Sequence, residues 1–332
     1  MIFNANYCFR NFSLKTINNQ SFIDIGEDAR RQYVDATAAF TAWEDAKADA
    51  QAVSGGMYWR NQGGVDYLIR TSRHGGQRGL GPRSPANEDI INKFLARKTA
   101  AEQRLTDLRE QLTRHQRMNR ALHVGRTPQL LVEILAALAE HGLATHFTVV
   151  GTHALYAYEA AAGARFGSPA VLATQDVDLL WDTRKRLQFE TDLSRVGTSM
   201  VGVLQKVDPT FRIRPEQRYT AVNSKGFEVD IIRREAKALD PHPLRLSGDE
   251  GDFWVVQARR AGVLLSAPRF SSIVVSVTGH MARMNTIAPK TLIAFKHWMA
   301  LQSDRDPMKR GRDRTQADAV AALIAEFLPN AS

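Results

Sequence analysis

Two aspartates, Asp176 and Asp178, are separated by one apolar residue in the segment 174–181, which reads Thr-Gln-Asp-Val-Asp-Leu-Leu-Trp. Alternate side chains of a β-strand point to the same face, so a strand here would place both carboxylates on one face. A second strand-like segment, residues 227–232, carries Asp230 with the same alternation of apolar and polar residues. If the two strands are neighbours in a sheet, three carboxylates meet on one face.

Carboxylates this close repel each other unless a cation lies between them. Mg²⁺ and Mn²⁺ are hard cations that prefer such oxygen ligands. Two ions held in this way can stabilise the attacking and the leaving oxygen of a phosphoryl or nucleotidyl displacement. We therefore predict Asp176, Asp178 and Asp230 as catalytic residues and as the ligands of two Mg²⁺ or Mn²⁺ ions. A solvated strand edge without catalytic function is the alternative interpretation of the same spacing.

A glycine turn precedes the aspartate pair. The apolar residues 147–150 are followed by Gly151, Thr152 and His153, and then by a segment with helical character. Glycine lets the backbone approach a ligand closely, and backbone N–H groups at the start of a helix suit phosphate oxygens, as does a threonine hydroxyl. We predict that these three residues bind the phosphates of a nucleotide, with His153 acting as a helix-start residue and not as a general base. A plain surface turn is the alternative.

The order of these features resembles the nucleotidyltransferase superfamily that includes DNA polymerase beta. Its pattern is an apolar strand, a glycine turn, a helix, Asp-x-Asp on a strand and a later strand aspartate. The sequence is most similar to the bacterial "nucleotidyltransferase fold" proteins, over residues 126–328. Two differences are that Thr152 replaces the usual small residue and that the gap between Gly151 and Asp176 is long. The resemblance implies an α+β (α/β) fold with a mixed sheet flanked by helices.

The resemblance also implies an activity, the metal-dependent transfer of a nucleoside monophosphate from an NTP to a hydroxyl acceptor with release of pyrophosphate. Members of the superfamily carry a lysine on a C-terminal helix, followed by a basic and acidic segment, and both face the triphosphate. In this sequence the lysine corresponds to Lys296, with Lys290 as the second choice, and the segment supplies Lys309 and Asp313. A basic helix end followed by a turn is the alternative for the last two residues.

The composition is that of a globular protein of two domains, with 332 residues, 44% of them hydrophobic and 24% charged. We expect a basic, mainly helical region with a β-hairpin in residues 1–125, a catalytic domain in 126–280 and a helical segment completing the active site in 281–332. The single cysteine, Cys8, excludes an internal disulfide and a cysteine-based zinc site. No apolar run is long enough for a membrane span, and no secretory signal begins the sequence. These features predict a cytoplasmic protein without a membrane partner.

The net charge of +9 favours an anionic partner. Residues 51–130 hold 14 Lys and Arg against 6 Asp and Glu. The candidate nucleic-acid contacts lie in a glycine-rich loop and in the long helix after it. They are Arg73, Arg78, Arg83, Arg114, Arg117 and Arg120. A solvated loop and helix face explain the same residues, since charge alone carries no sequence information.

The basic region points to RNA as the acceptor, such as a tRNA 3′ end. By analogy with the resembled family, such an enzyme would be a toxin or a phage-defence protein with an antitoxin protein as partner. A small molecule such as an aminoglycoside, or a protein hydroxyl, is the second acceptor class. A protein that keeps the fold but only binds nucleic acid, without catalysis, is the third hypothesis.

Overall fold

A computed structural model describes residues 22–73, 75–237 and 240–329 of the chain. The chain forms two compact units, one of residues 27–124 and one that joins the residues before 27 to those from 125 onward. Residues 281–329, predicted as a helical segment that completes the active site, lie in the same unit as residues 126–280. Cys8 lies outside the described residues.

Both strands and helices occur throughout the described residues. The strands are, in chain order, β1 (Phe22–Asp24), β2 (Gly56–Gln62), β3 (Val65–Thr71), β4 (Gln77–Pro82), β5 (Phe147–Val150), β6 (Ala164–Phe166), β7 (Asp176–Trp181), β8 (Arg212–Ile213), β9 (Thr220–Val222), β10 (Glu228–Arg234), β11 (Leu244–Arg245), β12 (Trp254–Ala258), β13 (Arg269–Val275) and β14 (Met281–Ile287). The helices are α1 (Glu27–Ala52), α2 (Pro85–Ala121), α3 (Gln129–Glu140), α4 (Leu155–Ala162), α5 (Arg186–Val196), α6 (Met200–Val207), α7 (Ala261–Ser266), α8 (Pro289–Ala300) and α9 (Pro307–Phe327).

The unit of residues 27–124 consists of the long helices α1 and α2 and an antiparallel sheet in the order β2-β3-β4. Gln32 of α1 is buried and donates a hydrogen bond of 2.9 Å to Asn119 Oδ1 of α2, which fixes how the two helices align. The hairpin of β2 and β3 agrees with the sequence prediction, but β4 occupies a segment predicted to be a loop. Its glycines, including Gly79 opposite Ile69, have low strand propensity and conceal the strand in the sequence.

The second unit contains the main sheet, in the order β11-β12-β10-β7-β5-β14-β13. Strand β7 pairs antiparallel with β5 on one side and parallel with β10 on the other, and β9 pairs antiparallel with β10. The predicted mixed sheet flanked by helices is therefore confirmed. Among the described residues, no helix has both the length and the apolar character that crossing a bilayer requires.

The face of β7 that points away from the aspartates is part of the hydrophobic core. Val177, Leu179 and Trp181 are fully buried, and Trp181 packs edge-on against Phe189 of α5. Burial of each such side chain contributes roughly 1.5–3 kcal/mol. The core thus fixes the strand in register and holds its polar face in place, because a slip of one residue would reverse every side chain.

Gly125, at the start of this unit, offers a stability test. A Cβ at position 125 would overlap the backbone of Val275 in β13, which cannot move aside cheaply. We expect Gly125→Ala to lower the free energy of unfolding by about 2 kcal/mol or more. Gly311→Ala is the matched control, since position 311 lies in α9 with open space around it, and alanine there should stabilise by about 0.5–1 kcal/mol. Denaturant unfolding of both variants checks the prediction, which an unchanged midpoint for Gly125→Ala would contradict.

Candidate functional site

The sheet brings the three predicted aspartates together. Asp176 and Asp178 share one face of β7, and Asp230 of β10 is directly opposite Asp178 in the parallel register. Neighbouring strands lie about 4.8 Å apart, so the side chains of the paired residues are adjacent. Glu228 is opposite Asp176 in the same register and brings a fourth carboxylate to this face. The strand register alone therefore creates a strongly acidic patch.

Gly151 closes this patch from the side of β5. Val150, the last residue of β5, pairs with Asp178, and Gly151 follows it with a φ of +71° in the left-handed region. A Cβ at position 151 would overlap Asp178 Oδ2. Glycine is therefore required twice here, once by the backbone conformation and once by the carboxylate packed against its α-carbon.

The electrostatic environment of Asp178 is unusual. Burial, with the nearby charges of Asp176 and Asp230, raises the pKa of Asp178 to about 7, although Lys296 and Arg305 oppose the shift. Within the described residues, its carboxylate accepts no hydrogen bond. A carboxylate whose pKa is raised in this way, and that accepts no hydrogen bond within the described residues, is a group that a cation would stabilise.

The two flanking aspartates are each held by a threonine. The hydroxyl of Thr174 donates to Asp176 Oδ1, and that of Thr220 donates to Asp230 Oδ1 at 2.6 Å. Burial also raises the pKa of Asp230, an effect that the Thr220 hydroxyl opposes and the charge of Asp176 reinforces.

Glu228, the fourth carboxylate, has a cation of its own. Arg214 forms an ion pair with it, so it is the one acidic side chain of this patch with a neutralising partner in direct contact.

His153 supports the strand backbone. Its side chain is buried, and its Nδ1 donates to the backbone carbonyl of Asp176 at 3.0 Å, because a carbonyl can only accept. Burial lowers the pKa of His153 to about 4, so the ring is neutral at physiological pH. Its ring packs near those of Tyr156 and Phe227. The predicted contact of this side chain with phosphates is replaced here by a contact that orders the start of β7.

Thr152 also differs from the expectation. Its side chain is buried, and its hydroxyl accepts a hydrogen bond of 3.1 Å from Gln316 Nε2 of α9. Gln316 donates a second bond, of 2.7 Å, to the carbonyl of Val171. The hydroxyl predicted to meet a phosphate instead joins the glycine turn to α9, because a buried hydroxyl needs a partner.

Lys296 of α8 and Arg305 of the turn between α8 and α9 are the two cations that act on Asp178, and one buried carboxylate holds both. Asp313 of α9 is fully buried and accepts hydrogen bonds of 2.8 Å from Lys296 Nζ and from Arg305 Nε. Burial lowers the pKa of Lys296, which the charges of Asp313 and Asp178 oppose. Asp313, predicted to face the triphosphate, thus lies behind the two cations.

These groups line one cleft with a volume of about 530 Å³. Gly151 and Asp178 line the cleft from the sheet, and Lys296 of α8 and Arg305 of the turn after α8 line it from the other side, together with Lys309. Lys290, the second-choice lysine, is exposed near the start of α8 and is not part of the lining. Of the acidic patch, Asp178 lines the cleft, whereas Asp176 and Asp230 lie beside it on the sheet. A cleft lined by this carboxylate and by two cations suits a ligand that carries both phosphates and a counter-cation.

The six predicted nucleic-acid arginines lie in the unit of residues 27–124. Arg83 is engaged with Asp66 and Glu88 in ion pairs and covers the ring of Trp59. The other five are exposed, and within the described residues none has an ion-pair partner. They are Arg73, Arg78, Arg114, Arg117 and Arg120.

The aspartates fit a divalent cation by their chemistry. In the described residues, no group of three His, Cys, Asp or Glu side chains is arranged to coordinate a metal ion as it stands. The donor set is nevertheless all oxygen, and Asp178 has a raised pKa and no hydrogen-bond donor. Asp176 accepts a hydrogen bond from the Thr174 hydroxyl, and Asp230 accepts one from the Thr220 hydroxyl. To coordinate a shared cation, each of these two carboxylates would have to give up that hydrogen bond.

Sequence reasoning missed two residues that shape this site. Arg305 lines the cleft, and Gln316 ties the glycine turn to α9. An arginine in the turn before a helix, or a glutamine within a helix, is too common to be recognised as functional. Asp313 was a candidate residue in the sequence, but no local pattern indicates that its carboxylate contacts Lys296 and Arg305.

A family model described as a nucleotidyltransferase matches residues 129–332, which include every residue of the cleft. No curated protein and no solved structure matches the chain. The matched residues are more than half of the sequence and contain the glycine turn, the strand aspartates and the helical cations in one site. The chain therefore belongs to this nucleotidyltransferase family, whose substrate is a nucleoside triphosphate.

Proposed function

We propose that the protein transfers a nucleoside monophosphate from an NTP to a hydroxyl acceptor, with Mg²⁺ or Mn²⁺ held by Asp176, Asp178 and Asp230. The observation that supports this most directly is the register of β7 and β10, in which Asp178 and Asp230 are side by side, with Asp178 packed against Gly151. A purely structural role does not account for carboxylates gathered around a half-buried aspartate that accepts no hydrogen bond within the described part of the chain. Such an arrangement costs stability, and sites of this kind are typically functional.

The residues of the cleft divide the work of the reaction. Asp176 and Asp178 would hold the cation that accompanies the triphosphate, and Asp230 would help to hold the one beside the acceptor. When bound, the two ions supply charge compensation and lower the pKa of the acceptor hydroxyl. Gly151 has no side chain of its own, so Asp178 can pack against its backbone and stay close to the bound phosphates.

Lys296 and Arg305 would bind the phosphates from the opposite wall. Their positions are set in advance, because both donate to the buried Asp313 before any ligand arrives. Preorganised charge of this kind stabilises the developing negative charge of the transition state without reorganisation. Catalysis then rests on positioning and electrostatics, as in other phosphoryl transfers.

RNA is the acceptor that we propose. The support is the excess of basic residues before the catalytic domain, together with Arg114, Arg117 and Arg120, which recur every three residues along α2 and are exposed. Spacing of three residues keeps them near one helix face. Incubation with each labelled NTP, Mg²⁺ and total cellular RNA or protein tests this. Label in RNA supports the proposal, and label in protein or in small molecules overturns the acceptor assignment.

Replacing Asp178 with asparagine tests the enzymatic proposal. Asparagine has the same shape but no charge to hold a divalent cation, so we expect Asp178→Asn to abolish label transfer while the fold persists. Circular dichroism and the labelling assay measure the two effects. Unchanged transfer in this variant would refute the assignment of the catalytic aspartates.

The same variant has a pH signature in metal-free buffer. The folded pKa of Asp178 is about 7 against an ordinary 3.8, so the folded state binds more protons between these values. Its stability therefore falls as pH rises through that window, by at most roughly 4 kcal/mol at 1.36 kcal/mol per pH unit. Asp178→Asn removes this loss and should raise the melting temperature more at pH 8 than at pH 5, with EDTA present. An equal change at both pH values would contradict the burial of charge at this position.

The contact between Gly151 and Asp178 can be tested separately. Gly151→Ala would force the carboxylate to move, so we expect transfer to fall at least tenfold. Gly142→Ala is the matched control, because Gly142 has a similar φ of +75° but open space around its α-carbon. Both variants bear the same backbone strain of about 1 kcal/mol. Equal activity losses in the two would show that strain, and not the position of Asp178, is responsible.

Asp313 should act as a positioning residue. Asp313→Asn leaves Lys296 and Arg305 without their shared anion, so we expect a higher KM for the NTP and a kcat/KM at least tenfold lower. Asp318→Asn is the control, since Asp318 lies on the same helix, is 45% exposed and has only a 3.8 Å contact with His297. Steady-state kinetics with the NTP varied provide the measurement. Kinetic constants at the wild-type level in Asp313→Asn would exclude this function.

A further inference from the structure

Several of the residues that line the cleft are apolar. Its lining includes Ile232, Ala258, Leu264, Phe295 and Met299. Contact with apolar carbon does not stabilise a bound phosphate, but it does stabilise a planar aromatic base. We propose that this apolar wall is the nucleobase subsite of the nucleotide pocket and that Gln302 is the residue that selects the base. The inference rests on the proposed function, because it concerns the same nucleotide.

The strand pattern places this subsite next to the acidic patch. Ile232 is two residues beyond Asp230 on β10 and therefore lies on the same face. Ala258, on the neighbouring strand β12, adds only a methyl group and leaves space beside it. Gln302 lies just past the end of α8, six residues after Lys296, which corresponds to a helical rise of about 9 Å. A nucleoside spans a similar length, so phosphates at Lys296 and a base near Gln302 are compatible.

Gln302 presents an acceptor to this wall in a fixed orientation. Its Nε2 donates a hydrogen bond of 2.9 Å to the backbone carbonyl of Trp298. A carbonyl can only accept, so the amide nitrogen must be on that side, and the oxygen Oε1 is the free end. Within the described residues Oε1 has no hydrogen-bond partner, and Gln302 lines the cleft. An acceptor beside an apolar wall is the arrangement that reads the edge of a stacked base.

In the proposed pose the 6-position of a purine, or the 4-position of a pyrimidine, faces the free oxygen, which favours bases that carry an amino group at that position. Adenine carries a donor at N6 and cytosine one at N4, whereas guanine and uracil have carbonyl oxygens at the corresponding positions. A carbonyl placed against Gln302 Oε1 would leave two acceptors facing each other, which costs the hydrogen bond. The subsite is therefore assigned to ATP or CTP in preference to GTP or UTP. One neutral hydrogen bond corresponds to about a three- to tenfold preference.

Binding measurements on the full-length protein separate the base subsite from the phosphate subsite. The probes are α,β-methylene analogues of ATP, CTP, GTP and UTP, whose bridging carbon prevents transfer, and inorganic tripolyphosphate, all with Mg²⁺. The proteins are wild type, Gln302→Leu and Ala258→Phe, each checked for an unchanged melting temperature. Titration calorimetry gives the dissociation constants. Tripolyphosphate has no base and serves as the internal control.

We expect the wild-type protein to bind the ATP and CTP analogues about three- to tenfold more tightly than the other two. Gln302→Leu should remove that preference, and Ala258→Phe should weaken all four analogues at least tenfold by filling the apolar wall. Tripolyphosphate should bind all three proteins equally. A base preference that survives in Gln302→Leu, or nucleotide affinities unchanged in Ala258→Phe, would overturn the subsite. In that case the proposed transferase activity stands if Asp178→Asn still abolishes transfer, whereas failure of every analogue to bind the wild type would reject both.

Discussion

The structure depends on a repulsive constraint, namely carboxylates held side by side on two neighbouring strands. The register of β7 and β10 leaves Asp178 and Asp230 no way to separate, and Gly151 closes the remaining side. The free energy that this repulsion costs is offset by the opposite face of β7, where Val177, Leu179 and other core residues are fully buried. The packing of the core holds the sheet in one register, so the carboxylates stay together although their repulsion is unfavourable. Burial and, after it, the charges of Asp176 and Asp230 raise the pKa of Asp178, because they destabilise its ionised form.

Helix α9 is the second determinant of the site, although it supplies few of the groups in the cleft. Asp313 orients the two cations, and one turn further on Gln316 holds Thr152 and the carbonyl of Val171. Arg312, just before Asp313, donates to the carbonyl of Ala173 at 3.2 Å. Helix α9 therefore positions the two cations Lys296 and Arg305, the glycine turn and the segment that enters β7. These contacts explain why α9 lies in one unit with the main sheet.

Features of the site that depend on residues close together in the chain could be predicted from the sequence, whereas features that depend on contacts between distant residues could not. The alternation around Asp176 and Asp178 is a local signal of period two, so the strand and its acidic face were predictable. The glycine turn was also local, but the reason for the glycine was not, because the overlap with Asp178 joins residues on different strands. Thr152 shows the limit most clearly. Its hydroxyl bonds with Gln316, 164 residues away, and no local pattern indicates that partner.

The two cations explain why a nucleotide and a divalent cation would bind this site together. Lys296 and Arg305 are the positive charges that keep the pKa of Asp178 from rising further. A triphosphate bound to them would neutralise much of their field and so make an ionised Asp178 still more costly. A divalent cation between the aspartates has the opposite effect, because it stabilises the ionised carboxylates and also attracts the phosphates. Under the proposed function, linkage then requires that each ligand raise the affinity for the other, because both charge systems would act within one cleft.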